Sequence, residues 1–404
     1  MSAHTPNRPR EVAIVGGGIG GLTLALSLHA AGLRPRVFER APRLIEAGAG
    51  IQLSPNAMRV MRALGLEDAL MPFAFAPEAL EMCDGVSGRN VFSIRAQQGR
   101  WGAPYLHLHR ADLVAVLERA LEARVQGGLT TDAEVTAIED DGERVTLTLG
   151  DQTHVADLVV GADGIHSMVR RSLFGSAGAQ FTGQLAWRAA VPIERLGAQP
   201  PPPTACVWTG SGRHAVTYRV RGGQVANFVG VVERADWQGE SWTEAGTRED
   251  VLADFDGWRP EITAIIDAAD RHYRWALHDR PPLPQWQRGR VGLLGDACHP
   301  VLPFLAQGAA MAIEDGWVLA AMLVQDLPVD AALAAYASAR RERVHRVYEG
   351  ARHNGELFHL GQTPRRAGTR AVLRLGGRLL PGVARARLDW LYGDDVTAHF
   401  PLRA

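Results

Sequence analysis

Glu11-Val12-Ala13-Ile14-Val15 runs into Gly16-Gly17-Gly18-Ile19-Gly20-Gly21, then a helix-forming stretch from Leu22 to Ala31, then Arg36-Val37-Phe38-Glu39. The first five residues are a short apolar run suited to a buried parallel strand. Glycines at 16, 18 and 21 have the G-x-G-x-x-G spacing. The first permits a tight turn, the second lets the backbone approach a pyrophosphate, and the third lets the next helix pack closely on the strand. Gly20 lies inside the same turn. Helix amides and the positive dipole end would face the phosphates. Glu39 ends the second strand at about the 20-residue offset expected of an acid on the ribose hydroxyls. Strand, glycines, helix, strand and acid in register specify an α/β, Rossmann-like dinucleotide-binding domain.

Outward from that unit, periodicity gives the organisation. A helix is expected near Asn56 to Leu64, and another begins at His109-Arg110-Ala111-Asp112, with Leu113, Val116, Leu117 and Ala120 on one face. Short strands are expected at Ala133 to Glu139, Val145 to Leu149 and Leu158 to Gly161. From about Phe181 to Trp275 the pattern becomes alternating, and Arg221-Gly222-Gly223 joins His214–Val220 to Gln224–Val232 as a hairpin. Val291 to Leu294 returns to a buried-strand pattern, and helices run from there to the end. The nucleotide domain is therefore discontinuous, with a mainly antiparallel β-sheet substrate domain inserted. A second strand-glycine-helix-acid unit is not found in the sequence, which argues against reductases that use two separate dinucleotide domains.

Composition sets the outer bounds. The chain has 404 residues and a net charge of −1, enough for two or three substructures. Apolar stretches are too short to span a bilayer, and Met1 to Arg10 lacks a signal-peptide core, so a cytoplasmic enzyme without membrane or nucleic-acid partners is expected. Cys83, Cys206 and Cys298 have no metal-ligand spacing; Cys206 and Cys298 read as small buried residues, and no metal is expected. All 43 basic residues are Arg, a coding bias. Eight fall in the tail from Pro364 to Ala404 (365, 366, 370, 374, 378, 385, 387 and 403), at a spacing that suggests solvated helix faces. Pro200 to Pro203 reads as a stiff surface linker.

Two later motifs, Asp157 to Arg170 (DLVVGADGIHSMVR) and Gly295 to Gly316 (GDACHPVLPFLAQGAAMAIEDG), follow the glycine motif in fixed order. Together the three resemble the FAD-dependent aromatic hydroxylases, the single-component flavin monooxygenases that include salicylate, 6-hydroxynicotinate and hydroxybenzoate hydroxylases. The likeness covers roughly residues 10 to 350. Gly48 to Asn56 and His214 to Val232 are more similar to the salicylate and hydroxynicotinate branch. The resemblance implies a p-hydroxybenzoate hydroxylase-like fold. Its FAD-binding domain would be 10–72, 100–180 and 276–355, its substrate domain 73–99 and 181–275, and its C-terminal helical segment 356–404.

The cofactor residues it implies are Gly16, Gly18, Gly20, Gly21, Glu39, Arg40, Arg110, Val135, Asp163, Asp296, Gly308 and Ala309. Asp296 would meet the ribityl hydroxyls, Val135 the adenine through its backbone, and the amides at Gly308 and Ala309 the flavin N1–C2=O edge. Asp163 would belong to the cofactor loop and to NAD(P)H handling, its alternative being a helix cap. The reaction implied is reduction of FAD by NADH or NADPH, then transfer of one oxygen of O2 to an electron-rich ring through a flavin C4a-hydroperoxide. A small aromatic substrate, phenolic or N-heteroaromatic and carboxylated, fits the branch, with a monomer or homodimer as the assembly.

A base near the phenolic hydroxyl would raise ring electron density. Strand alternation puts His214, Val216 and Tyr218 on one face, with His214 and Tyr218 about 13 Å apart. His214 is the candidate base because imidazole titrates near working pH, and Tyr218 the orienting group; the alternative is a core histidine and a packing tyrosine. Pro303 sits where the family turns a backbone carbonyl toward the substrate. Gln52 and Phe304 stand where a histidine or polar side chain is seen in the hydroxynicotinate branch, which makes this pocket less basic. Arg188 and Arg213 are the possible carboxylate clamps, and His299 is expected to be structural. Two other readings stay open: an epoxidase or monooxygenase of larger non-phenolic metabolites, and an uncoupled NAD(P)H oxidase or flavin-binding protein.

Overall fold

The computed structural model describes residues 9–44, 50–96, 99–175, 178–234, 244–359 and 381–402, with backbone alone at 244 and 381–385. The apolar run Glu11–Val15 is the centre of a six-stranded sheet. Leu158–Gly161 and Arg34–Phe38 flank it in parallel, Ile14 standing opposite Val160 on one side and Val37 on the other. Val291–Leu293 extends the sheet beyond Leu158–Gly161, Leu129–Thr130 extends it beyond Arg34–Phe38, and Gln287–Arg288 is an antiparallel edge. Strands covered on both faces carry no polar alternation, and Val12 to Ile14 and Leu158 to Val160 are completely buried.

Helices Ile19–Ala30 and Gly308–Leu323 pack on this sheet and on each other. Their approach is close because a Cβ on Gly316 would lie 2.9 Å from the backbone nitrogen of Leu24. The helix Val329–Phe358 runs behind them, burying Leu333, Tyr336, Val344, Val347 and Ala351 along one stripe.

The second body is an eight-stranded sheet in the order Glu244–Gly246, His272–Asp279, Gln180–Pro192, Val225–Glu233, Arg213–Val220, Ala205–Thr209, Ala79–Asp84, Asn90–Arg95. Its pairings are antiparallel except Ala205–Thr209 with Ala79–Asp84. Arg221, with φ of 53°, and two positive-φ glycines close the expected hairpin. One face of the sheet packs on helices Arg248–Asp254 and Pro260–Ala268 through Trp187, Phe228, Phe255 and Ile262. The other face looks toward the nucleotide-binding sheet.

Several expectations need correction. Residues 133–136 are not a strand; the ladder starts at Ala137–Asp140, although the Thr136 amide already donates to Thr148. Pro200 to Pro203 has no regular structure, yet it is not a free surface linker: Pro201 is buried and its carbonyl accepts Arg219, while that of Pro203 accepts the Glu78 amide. Gly48 and Ala49, and tail arginines 365, 366, 370, 374, 378 and 403, lie outside the described residues, and nothing is described of the Arg385 side chain. Arg387 is exposed. Among the described residues no helix is long and apolar enough to cross a membrane.

Candidate active site

A cavity of about 1400 Å³ lies between the two sheets. Its two ends are built by different means.

At one end the glycine turn presents backbone. Gly16 has φ of 109°, and a Cβ there would stand 2.5 Å from the Ala162 carbonyl oxygen; on Gly21 it would stand 2.0 Å from that of Gly16. Both positions are closed to any side chain. A Cβ on Gly18, in contrast, would meet nothing within 4 Å, and this residue faces the cavity. Gly18 begins the helix Ile19–Ala30 without a side-chain cap, so the helix's leading amides have no side-chain acceptor. The helix Gly308–Leu323 also starts uncapped, with Gly308 and Ala309 on the cavity wall. Two uncapped positive helix ends facing one cavity suit a ligand that carries negative charge in two places.

The remaining predicted cofactor residues also line this end: Gly20, Glu39, Arg40, Arg110, Val135, Asp163 and Asp296. Gly21 serves the packing behind it. Glu39 does more than wait for a ribose, since its carboxylate accepts the Gly17 amide at 2.7 Å and the Ala41 amide at 2.9 Å. Asp296 is the one exposed residue between Val291 and Pro300. That exposure is to the cavity, whose surrounding walls dehydrate the carboxyl and raise it above the ordinary value, while His299 and Arg110 pull the other way. Asp163 is partly a helix cap: Oδ2 accepts the Met168 and Val169 amides at 2.7 and 3.2 Å, whereas buried Oδ1 has no partner among the described residues. An orphaned acceptor, an open Gly18 and two uncapped helix ends fit a bound FAD.

At the other end the eight-stranded sheet presents side chains. His214, Val216 and Tyr218 all line the cavity, as the alternation requires. Tyr218 is held by Gly50, where a Cβ would fall 2.6 Å from the phenolic oxygen, and by the His107 ring at 4.8 Å. Burial raises its hydroxyl pKa, against the pull of Arg188. His107 is completely buried, and dehydration lowers its imidazole to about 3. His214 is held well below 6.5, first by burial and then by His359, whose Nε2 lies 2.7 Å from its Nδ1. Gln52 lines the cavity with its carbonyl oxygen accepting from Tyr105 at 2.6 Å. Pro303 lines it too, but its carbonyl already accepts the Ala306 amide at 3.0 Å.

Of the two arginines, Arg188 reaches the cavity over the Trp275 ring, 4.5 Å from its centroid. Arg213 is directed away, to the Asp254 carbonyl and the Trp258 face. Phe304 packs edge-on to His214 at 5.2 Å. His299 is outside the cavity lining, buried with Nε2 2.6 Å from Asp315. Cys83, Cys206 and Cys298 are buried thiols.

Sequence reasoning missed the supports. Asp315 holds His299 and Arg340, while Glu314 holds Arg340, Arg343 and Asn56. Burial alone would raise both carboxyls, but the arginines, with His299 on Asp315, bring each to about 2. Two acids inside a strongly apolar helix were a readable sign of buried pairing. Tyr392, Tyr105 and His359 gave no such sign, because each meets the site from a remote segment.

A Rossmann-like sheet with an open glycine turn, joined to an antiparallel sheet across one cavity, defines a flavoprotein of the two-body monooxygenase type. The comparisons agree. The FAD binding domain family matches residues 10–351. The 3-amino-4-hydroxybenzoate 2-monooxygenase PtmB3 of Streptomyces platensis is 38% identical, covering 98% of each chain. The 6-hydroxynicotinate 3-monooxygenase of Bordetella bronchiseptica is 36% identical over 97% of this chain and 96% of its own. A salicylate hydroxylase–substrate complex superposes with a TM-score of 0.81 at 26% identity, covering 98% of each chain. The chain belongs to the FAD-dependent aromatic hydroxylases, monooxygenases that use NAD(P)H as co-substrate.

Proposed function

We propose that this enzyme hydroxylates a small carboxylated phenol or hydroxylated N-heteroaromatic acid, with His214 as the base. The observation that carries the reading is that His214 and Tyr218 face the same cavity as Gly18, Asp296 and Gly308. The relatives' names support the class, since they act on an aminohydroxybenzoate and a hydroxynicotinate.

FAD would lie with its phosphates on Gly16, Gly18 and Gly20, its riboses toward Glu39, Arg40 and Arg110, its adenine at Val135, and its ribityl chain at Asp296. Once bound and reduced, FAD supplies the activation of O2. The chain's own residues do the rest. The Gly308–Ala309 helix end stabilises negative charge on the ring, and Asp163 presents its free oxygen to the cofactor loop. The apolar wall of Leu80, Met82, Val216, Val229 and Phe304 excludes water. His214, neutral at working pH because it is held below 6.5, accepts the phenolic proton. Tyr218 and Gln52 orient the ring, Pro303 closes the flavin side, and Arg188 holds the carboxylate.

The division proposed here is the one read from the sequence: 10–72, 100–180 and 276–355 for FAD, 73–99 and 181–275 for the substrate, and 356–404 as a C-terminal helical segment, in a cytoplasmic monomer or homodimer. The test is NADH and NADPH oxidation by FAD-loaded protein with salicylate, 3- and 4-hydroxybenzoate, 3-amino-4-hydroxybenzoate, 6-hydroxynicotinate and uncarboxylated phenols. Stimulation by a carboxylated member with matching product supports the reading. Stimulation by none, or by uncarboxylated phenols alone, contradicts it.

A further inference from the structure

The wall behind His214 holds two groups that this chemistry has not used. His359 receives His214 Nδ1 at its Nε2, 2.7 Å away, and its own Nδ1 lies 2.9 Å from Glu233 Oε1. His214 is 1% exposed and His359 6%, whereas the Glu233 side chain is 59% exposed. The row starts at the cavity and ends in solvent.

Backbone contacts fix its geometry. His359 caps the helix Val329–Phe358. The Gly210 and Gly212 amides donate to the carbonyls of Phe358 and His359, each at 3.3 Å, and the Glu233 amide donates to Gly212 at 2.9 Å. The helix end is thereby pinned to the hairpin that carries His214. Phe304 and Phe358 flank the His214 ring at 5.2 and 5.1 Å, leaving an apolar surround. Neighbouring charges are directed elsewhere: Arg213 to the Asp254 carbonyl, Arg234 to the Asp254 carboxylate.

Donor and acceptor rules then assign the protons. An ionised Glu233 only accepts, so His359 Nδ1 carries the hydrogen. Neutral His359 therefore offers a lone pair at Nε2, and His214 Nδ1 must donate to it. That leaves the lone pair of His214 on Nε2, the form a base requires. Building on the reading of His214 as base, we propose that His214, His359 and Glu233 form a proton relay from the cavity to solvent, with His359 and Glu233 as positioning residues.

The step balances as proton movement alone. The phenol O–H bond breaks and an N–H bond forms at His214 Nε2. The Nδ1 proton passes to His359 Nε2, the Nδ1 proton of His359 passes to Glu233, and Glu233 releases it to water. Product leaving as a phenol draws a proton back along the row and restores the starting tautomers. Burial makes a lasting imidazolium costly at His214 and at His359 alike, with Glu233 and the helix C-terminus partly offsetting that cost at His359.

The test mixes FAD-loaded enzyme with 4-hydroxy-3-nitrobenzoate, a chromogenic phenol, in weakly buffered solution held below the probe's own phenolic pKa, with a pH indicator. Phenolate absorbance and proton release are followed together by stopped flow. In His359→Gln, release should slow by at least roughly tenfold while probe affinity stays within about twofold. Glu233→Gln, at an exposed position, should slow it less and in the same direction. Wild-type rates in both variants, with ionisation lost in His214→Gln, overturn the relay and leave the base in place. Ionisation undiminished in His214→Gln removes the base reading, and the relay with it.

Discussion

The flavin end and the substrate end of the cavity are made of different material. The flavin end is mostly backbone: Gly16, Gly18 and Gly20 at one helix start, and Gly308 and Ala309 at another. The substrate end is mostly side chains, from the strand Arg213–Val220, from Gln52 and Tyr105 on a separate two-stranded ribbon and loop, and from Tyr392 near the C-terminus. Backbone sites depend on local geometry and tolerate little change. Side-chain sites can exchange chemistry strand by strand on an unchanged frame.

The sharpest way to break this contrast is at Asp296, the acid proposed to meet the ribityl chain. Asp296→Ala should weaken FAD by roughly tenfold to a hundredfold, the size of a lost charge-assisted hydrogen bond. Fluorescence titration of apoprotein measures it, and unchanged affinity contradicts the ribityl assignment. Gly16 and Gly18 should separate cleanly. Gly16→Ala strikes the Ala162 carbonyl at an unfavourable φ and should destabilise apoprotein by about 1–3 kcal/mol. Gly18→Ala should leave apoprotein melting unchanged and weaken FAD alone.

At the substrate end, Arg188→Met should raise KM for carboxylated aromatics about tenfold and leave uncarboxylated phenols nearly unaffected. Equal loss for both classes would make Arg188 a packing group on Trp275. The smallest effect concerns His107. Its folded-state pKa near 3 lies below the ordinary 6.5, so between those values the unfolded chain binds the extra proton and stability falls with falling pH. His107→Gln should flatten that acid limb by at most about 1.4 kcal/mol per pH unit, measured as urea unfolding at several pH values.

The same contrast explains what the sequence made legible. Glycine spacing, the offset to Glu39 and the later GDACHP stretch are local patterns, and each local pattern has a direct geometric consequence. The alternation of His214, Val216 and Tyr218 is also local, and the structure keeps all three on the cavity. His359 and Glu233, though, lie 145 and 19 residues from His214 or its neighbours by chain count, and only tertiary packing joins them. The loop at 133–136 looked like a strand because its alternation continues into Ala137–Asp140. Pro200–Pro203 looked solvent-facing because composition is silent about the backbone acceptors it offers to Arg219 and Glu78.

The central claim is that the flavin end and the His214 wall are separable parts of one hydroxylating site. Product formed per NAD(P)H consumed, for wild type and His214→Gln with the best carboxylated phenol, tests it most directly. Wild type should couple oxidation to product, while His214→Gln should keep its FAD and lose product formation by roughly a hundredfold or more. Unchanged coupled turnover in His214→Gln across the pH range would contradict it.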